Sequence, residues 1–130
     1  MVVYESGFGV MKENSEFWLG LDRIARLSTQ CGLTYARFDL KFCAADQQPT
    51  YKDYKLFKVV REGSAFGRQY RLLVNHPVGP AFDGLLLDNY WHTPNNRLFS
   101  ARDWDNDGAP TGNCANKHSE GFQGRKEPHM

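Results

Sequence analysis

A chain of 130 residues is long enough for one domain with a modest hydrophobic core. Its 16 basic and 15 acidic side chains nearly cancel, so the composition gives no general attraction to nucleic acid or to an anionic membrane surface. No apolar run reaches the roughly 18 residues that a membrane-spanning helix needs. The first residues lack the basic start and apolar stretch of a signal peptide, so none is predicted there.

The first predicted element is a helix from Glu16 to Gln30. Asn14 and Ser15 are candidate amino-terminal caps, and Gly32 is placed to end the helix. The apolar residues that repeat along it at helical spacing are Phe17, Leu21, Ile24 and Leu27. We expect this stripe to face the hydrophobic core rather than a cofactor.

Three strands are predicted after the helix, at Leu33–Phe42, Tyr51–Val60 and Gln69–Val74. The first alternates polar and apolar residues, which indicates a half-buried strand. Glycines at 63 and 67 favour a turn between the other two, so antiparallel pairing is expected. From Asn75 onward, prolines, glycines and asparagines are frequent, which predicts a half made mostly of loops.

An acidic cluster lies in this second half, at residues 103–107, with the sequence D-W-D-N-D followed by glycine. Three carboxylates at alternate positions repel one another unless a cation holds them, and hard oxygen ligands suit Ca²⁺. An EF-hand is excluded because its twelfth loop position needs Glu, and here that position is Cys114. Because Asp, Asn and Gly are also common turn formers, a solvated turn is the alternative to a metal site.

Other kinds of site have less support in the sequence. Basic residues recur between Lys52 and Arg71, but Asp53 and Glu62 interrupt them, which favours a solvated sheet face over a polyanion site. The four histidines lie far apart without a paired ligand, so zinc is not expected. No serine or cysteine has the motif context of a catalytic nucleophile, so we do not predict an enzyme.

The three cysteines cannot all pair within one molecule, so at least one is free or bonded to another chain. Cys31 and Cys43 flank the first predicted strand, whose rise of roughly 3.3 Å per residue would hold them beyond disulfide reach. Cysteine content therefore leaves the cellular compartment undecided.

Several segments, in order, resemble the fibrinogen C-terminal domain, also called the fibrinogen-related domain, of fibrinogens, ficolins, tachylectins and tenascins. The matching segments are the G-F-G of residues 7–9, E-F-W-L-G at 16–20, the strand at 33–40, Y-x-x-Y-x-x-F-x-V at 51–59, the loop at 79–85, and 96–107 with N-C-A at 113–115. The resemblance extends from about Tyr4 to Ala115.

The resemblance implies an α+β fold with a central twisted antiparallel sheet, one main helix beside it, and a loop-rich calcium-binding part. Residues 1–122 would form a shortened member of the family, with its helix and sheet in 14–75 and its loops in 76–122. Residues 123–130 are polar and aperiodic, so we expect a disordered tail. Shortening removes sheet partners and exposes strand edges, which favours homo-oligomers.

The family's calcium ligands map onto the acidic cluster. The resemblance implies that Asp105 and Asp107 bind Ca²⁺ through their side chains, and that the backbone carbonyls of Ala109 and Thr111 complete the shell. Asp103 is the remaining acid of the cluster and a further candidate. The chain holds one residue more than the family's usual spacing after Asp107, which can shift the register of the carbonyl ligands.

The segment after Cys114 departs from the family. The G-G-W-W-Y segment and the cysteine that pairs with Cys114 in other members are absent, and so is the subdomain that precedes G-F-G. In lectin members an aromatic pocket for acetyl groups is built largely from that segment. Only His118, near one pocket position, is carried over as a candidate ligand-binding residue.

The resemblance predicts a secreted, calcium-binding recognition protein that binds acetylated or sialylated glycans in innate defence, as lectin members do. The alternative is an adhesive or structural module that binds extracellular proteins and no sugar. In both cases we expect no nucleic-acid partner, no membrane insertion and no catalysis.

Overall fold

The computed structural model describes residues 1–30, 32–63, 69–86, 93–101, 103–104 and 106. Its elements in chain order are α1 (Val2–Ser6), β1 (Phe8–Gly9), β2 (Phe17–Trp18), α2 (Leu21–Gln30), β3 (Ala36–Leu40), β4 (Thr50–Glu62) and β5 (Gln69–Val78). Neither helix within these ranges is both long and apolar enough to cross a membrane. The predicted turn at 63–67 lies mostly, and the predicted tail at 123–130 wholly, outside the described residues.

The main helix begins five residues later than the sequence predicts. Phe17 and Trp18 form β2, which pairs antiparallel with β1, and Asn14 is not a helix cap but has a φ of 61°. Gly20, with a φ of 100°, cannot continue a right-handed helix back from Leu21. A Cβ at Gly20 would lie 2.7 Å from the carbonyl oxygen of Glu5, so only glycine fits this close approach of two backbones.

The predicted core stripe of the helix is half wrong. Leu21 is fully buried and Ile24 packs against the core, but Phe17 and Leu27 are 51% and 59% exposed. The other buried helix residues are small, Ala25 and Ser28. Small side chains here let α2 approach β4 closely, where larger ones would hold it away.

A buried hydrogen bond joins the helix to the backbone of the sheet. The backbone amide of Val59, in β4, donates to the Ser28 hydroxyl at 3.0 Å, and that hydroxyl donates to the Ala25 carbonyl at 3.3 Å. At the helix end, the Thr34 hydroxyl donates to the Ser28 carbonyl at 3.2 Å. The helix thus satisfies a buried amide of the sheet that would be costly to leave unpaired.

The sheet has the order β3-β4-β5 with antiparallel pairing throughout, which confirms the predicted topology. All three strands differ from the prediction in their boundaries, and β4 extends beyond the predicted Tyr51–Val60 at both ends. The first predicted strand, Leu33–Phe42, is regular only over Ala36–Leu40, where it is an exposed outer strand, so the prediction of a half-buried strand is wrong. The last continues to Val78, so the prediction of loop from Asn75 is wrong for 75–78, because β4 is long enough to pair with that stretch.

The hydrophobic core lies between the sheet, the helices and the segment after residue 95. Its buried members are Met1, Leu21, Ala25, Tyr54, Val59, Tyr70, Leu72, Val74, Phe99 and Ala101. Residues 96–99 run along the free side of β5, where the Leu72 amide donates to the Arg97 carbonyl at 3.0 Å and the Phe99 amide donates to the Tyr70 carbonyl at 2.8 Å. Residues 96–99 are thereby fixed to the sheet.

Candidate functional site

The entry to the acidic cluster is a tight turn anchored in the core. Ala101 and Trp104 exchange two backbone hydrogen bonds, at 2.9 and 3.1 Å, which closes the turn. The buried hydroxyl of Ser100 accepts the Asn106 amide at 2.8 Å, and the Asn106 side chain donates to the Phe99 carbonyl at 3.1 Å. These contacts fix where the chain enters the cluster.

Asp103, the first acid of the cluster, lies on this turn. One of its carboxylate oxygens accepts a hydrogen bond from the amino group of Met1 at 2.6 Å, while its side chain is 63% exposed. The structure therefore places Asp103 in an ion pair with a residue about a hundred positions away. Its role as a metal ligand stays a prediction.

The other predicted site residues, Asp105, Asp107, Ala109, Thr111 and His118, lie outside the described residues. Their assignments also stay predictions. Within the part of the chain that the structure describes, no three His, Cys, Asp or Glu side chains converge on one point. The predicted ligands are carboxylate and carbonyl oxygens, a donor set that fits Ca²⁺ and not the nitrogen and sulfur preferences of zinc.

A turn at residues 83–86 is tied to the sheet through a buried tyrosine. The Tyr54 hydroxyl donates to the Asp83 carboxylate at 2.5 Å, and the same oxygen accepts the amides of Leu85 and Leu86 at 3.1 and 3.0 Å. Burial and this hydrogen bond raise the pKa of Tyr54 well above its ordinary value. Burial alone would raise the pKa of Asp83, but its hydrogen bonds outweigh burial and lower it.

A second buried tyrosine joins both helices to β5. The hydroxyl of Tyr70, which is fully buried, lies 2.5 Å from an Asp22 carboxylate oxygen and 2.8 Å from one of Glu5. The Arg61 guanidinium lies 3.3 Å from the same Asp22 oxygen. Burial, followed by the hydrogen bonds to the two carboxylates, raises the pKa of Tyr70 far above its ordinary value.

Arginine holds a third loop segment in place. Arg71 pairs with Glu62 on β4 and donates to the Asn96 carbonyl at 2.8 Å. The hydrogen bond from Arg71 lowers the pKa of Glu62. The side-chain oxygen of Asn95 accepts the Val74 amide at 2.9 Å. This arginine, within the basic stretch of the sequence, therefore joins β5 to β4 and to the segment at 95–97.

Sequence reasoning missed the roles of Tyr54, Tyr70 and Arg71. Tyr54 and Asp83 belong to segments that resemble the family, and an Asp before a Gly is a turn signal. Neither signal identifies the partner, because the two side chains that meet are 29 residues apart. Cys43 is an exposed free thiol, whereas Cys31 and Cys114 lie outside the described residues.

Known proteins are similar to this chain over nearly its whole length. Residues 2–127 match the family model described as the C-terminal globular domain of fibrinogen beta and gamma chains. The fibrinogen gamma chain of Xenopus laevis is 33% identical over 129 residues, which cover 93% of this chain and 29% of that protein. Angiopoietin-related protein 1 of Mus musculus is 32% identical over 119 residues, which cover 92% of this chain and 21% of that protein. The chain thus spans less than a third of the length of these relatives.

Solved structures show the same likeness. A lamprey fibrin D-dimer, in complex with the peptide ligand Gly-His-Arg-Pro-amide, matches 96% of this chain and 40% of its own with a TM-score of 0.76 and 29% identity. The fibrinogen-like globe domain of human ANGPTL6 matches 93% of this chain and 47% of its own with a TM-score of 0.70 and 29% identity. The predicted α+β fold, with antiparallel strands and one main helix, is confirmed. The chain belongs to the family of fibrinogen C-terminal globular domains.

Proposed function

We propose that this chain is an extracellular recognition domain that binds a protein or peptide and carries no catalytic chemistry of its own. The observation that supports this proposal most is its likeness to the lamprey fibrin D-dimer, which was solved with a bound tetrapeptide amide and matches 96% of this chain. Fibrinogen and angiopoietin-related proteins both contain such a domain. The extracellular location rests on the same resemblance.

The described loops support a recognition role. The turn at 83–86 and the segment at 95–97 are held on the sheet by hydrogen bonds from Tyr54, Arg71 and backbone groups, and the turn at 101–104 is closed by its own backbone hydrogen bonds. Binding loses less conformational entropy when loops are already ordered on a rigid scaffold. A ligand surface made from these loops would therefore be organised before the ligand arrives.

Calcium would extend this order to the rest of the acidic cluster. Asp105 and Asp107 would hold the ion with their carboxylates, together with the carbonyl oxygens of Ala109 and Thr111. The bound ion would neutralise carboxylates that otherwise repel one another. The turn at 101–104 already fixes the entry to the cluster, so the ion would bind beside an ordered part of the chain.

Thermal unfolding in EGTA and in roughly 10 mM Ca²⁺ tests the metal site. With an affinity of about 10⁻⁴ to 10⁻³ M, as in extracellular modules, Ca²⁺ should add about 1.4 to 2.7 kcal/mol to the free energy of unfolding. Asp105→Ala and Asp107→Ala should each abolish the shift. Asp46→Ala, at an exposed aspartate far from the cluster in sequence, should leave it unchanged. A parent protein without any shift would show that the extra residue disables the site.

Ligand titrations test the recognition role. Gly-His-Arg-Pro-amide, its scrambled isomer, N-acetylglucosamine and a sialylated glycan would each be titrated into the protein with Ca²⁺ and with EGTA, by calorimetry. Binding of the tetrapeptide but not of its isomer supports peptide recognition. The lectin interpretation, in which His118 contacts an acetyl group, is favoured instead if only the sugars bind. If a panel of extracellular proteins also fails to bind, the recognition role is refuted.

A further inference from the structure

The outer strand of the sheet leaves its backbone open for pairing. β3 pairs with β4 on one side, and no strand among the described residues lies on its other side. The carbonyl of Thr34 accepts the Phe57 amide of β4 at 2.9 Å. Because backbone groups alternate in direction along a strand, the N–H and C=O groups of Arg37 and Asp39 point away from β4. They form a short row of outward-facing donors and acceptors.

The side chains beside this edge are apolar and exposed. Phe38 and Leu40, on the face that meets Tyr54, are 40% and 45% exposed, and Tyr35 and Phe42 on either side are 68% and 46% exposed. Proteins usually protect an open edge by keeping the strand short, or with proline, a bulge or charged side chains, especially Lys. Between residues 33 and 42 there is no proline, and the charges alternate in sign.

We propose that β3 pairs antiparallel with β3 of a second copy of this chain, about a two-fold axis at Phe38. The two three-stranded sheets then become one continuous six-stranded sheet. Phe38 lies opposite its own copy, and each Arg37 lies opposite Asp39 of the second copy. The occupant of this edge is thus the same strand from another molecule, which forms an isologous contact.

The backbone geometry agrees with this register. The outward groups of Arg37 and Asp39 fall in hydrogen-bonded pairs, and the Phe38 pair falls in a non-hydrogen-bonded position, where the two chains approach to about 4.5 Å between Cα atoms. The apolar side chains of the two copies would therefore meet at the closest point. A shift by one residue would direct outward groups at inward ones and remove these hydrogen bonds.

Charge selects this register over its neighbours. Shifting the pairing by two residues in one direction would place Arg37 opposite Arg37, and in the other direction Asp39 opposite Asp39. Like charges directly opposite each other destabilise a strand pair, whereas opposite charges stabilise it. In the proposed register Lys41 lies opposite Tyr35, an arrangement that allows a cation–π contact.

On the polar face of the sheet, the second copy would also add a charged side chain beside Arg37 and Asp53, which are neighbours on β3 and β4. In one copy, Arg37 donates to Asp39 at 2.9 Å and lies 3.9 Å from Asp53, its neighbour on β4. An oxygen of Asp53 is buried without a hydrogen-bond partner among the described residues. When Asp39 of the second copy arrives, each Arg37 lies between two carboxylates, its own Asp53 and the incoming Asp39.

The contact is small, because β3 has five residues. Interfaces of this size belong to the weak and transient class, so we expect a dissociation constant between about 10 µM and about 1 mM. Sedimentation equilibrium from roughly 5 to 500 µM, in reducing buffer that excludes disulfide dimers, should show dimers at the upper concentrations. A parent protein that stays monomeric throughout overturns the proposal.

Charge reversal tests the register directly. Arg37→Asp and Asp39→Arg should each abolish self-association, since every opposed pair then carries like charges. A mixture of the two variants should associate again, because each now complements the other. Restoration on mixing shows that neither variant has failed by misfolding. Asp46→Arg, a matched reversal at an exposed position away from β3, should associate as the parent does.

Amide hydrogen exchange supplies a second readout. As the protein concentration rises, the outward amides of Arg37 and Asp39 should become protected, while the Phe38 amide, which faces β4, should not change. Association that survives both charge reversals, or that protects no amide of β3, would assign the contact to another surface and overturn the proposal.

Discussion

Replacing Tyr70 with phenylalanine removes the oxygen atom of a buried hydroxyl group that lies between two carboxylates. The hydroxyl lies within hydrogen-bond distance of both Asp22 and Glu5, and it joins α1, α2 and β5. A hydrogen bond to a charged group contributes about 1.5 to 3 kcal/mol. We expect Tyr70→Phe to lower the free energy of unfolding at pH 7 by that amount, or the melting temperature by roughly 5 to 12 °C for a chain of this size.

The same substitution should remove a dependence on pH. The folded pKa of Tyr70 lies above its unfolded value of 10.0, so the stabilisation is fully present below about pH 10 and is lost as the pH rises above it. The unfolded chain ionises there while the folded one does not. The difference in the free energy of unfolding between the parent and Tyr70→Phe should therefore shrink by about 1.4 kcal/mol for each pH unit above 10.

Urea denaturation at pH 7, 9, 10 and 11 measures both effects. Tyr35→Phe is the matched control, because Tyr35 is 68% exposed and the chemical change is identical. Its free energy of unfolding should stay within about 0.5 kcal/mol of the parent at neutral pH. A Tyr70→Phe cost below that margin, or a difference that does not change between pH 9 and 11, would refute the role assigned to the buried hydroxyl.

Three further changes test other parts of the fold by urea denaturation. Asp83→Asn should lower the free energy of unfolding by about 1 to 3 kcal/mol at pH 7. Because folding lowers the pKa of Asp83, its stabilisation is present above the unfolded pKa of 3.8 and should disappear as the pH falls below about 4. Leu21→Ala should cost about 2 to 5 kcal/mol, whereas Leu27→Ala, on the exposed side of the same helix, should cost less than about 1 kcal/mol. Gly20→Ala should lower the free energy of unfolding by more than about 1 kcal/mol, because a Cβ there would collide with the backbone. A Cβ at Gly32 contacts no other atom, so Gly32→Ala should change the free energy of unfolding very little. Equal costs within either pair would contradict the burial or the backbone contacts described above.

The parts of the fold that the sequence predicts correctly depend on regular patterns. The long strand at 50–62 and its antiparallel partner follow from dense β-branched and aromatic residues with turn residues between them. The start of the helix could not be predicted, because Phe17 and Trp18 fit a helical stripe as well as a strand, and their pairing with Phe8 and Gly9 decides between them. Gly20 could have indicated the start of the helix, because it lies directly before the first helical residue, Leu21.

The candidate site divides in the same way. The acidic cluster is a local motif, so its residues can be found from spacing alone. The contacts that fix the loops are not local: Tyr70 meets Glu5 across 65 residues and Arg71 meets Asn96 across 25. No periodicity connects such positions, because the sheet brings them together only after the chain has folded.

The hydrogen bond from the Val59 amide to the Ser28 hydroxyl makes one backbone proton of β4 depend on a helix rather than on a strand. Its exchange with solvent would follow the docking of α2, whereas neighbouring ladder amides would follow the opening of the sheet. If α2 can detach while the sheet persists, this proton exchanges faster than those neighbours. If helix and sheet unfold as one cooperative unit, all of these protons exchange with the same free energy. A single amide can therefore distinguish one folding unit from two.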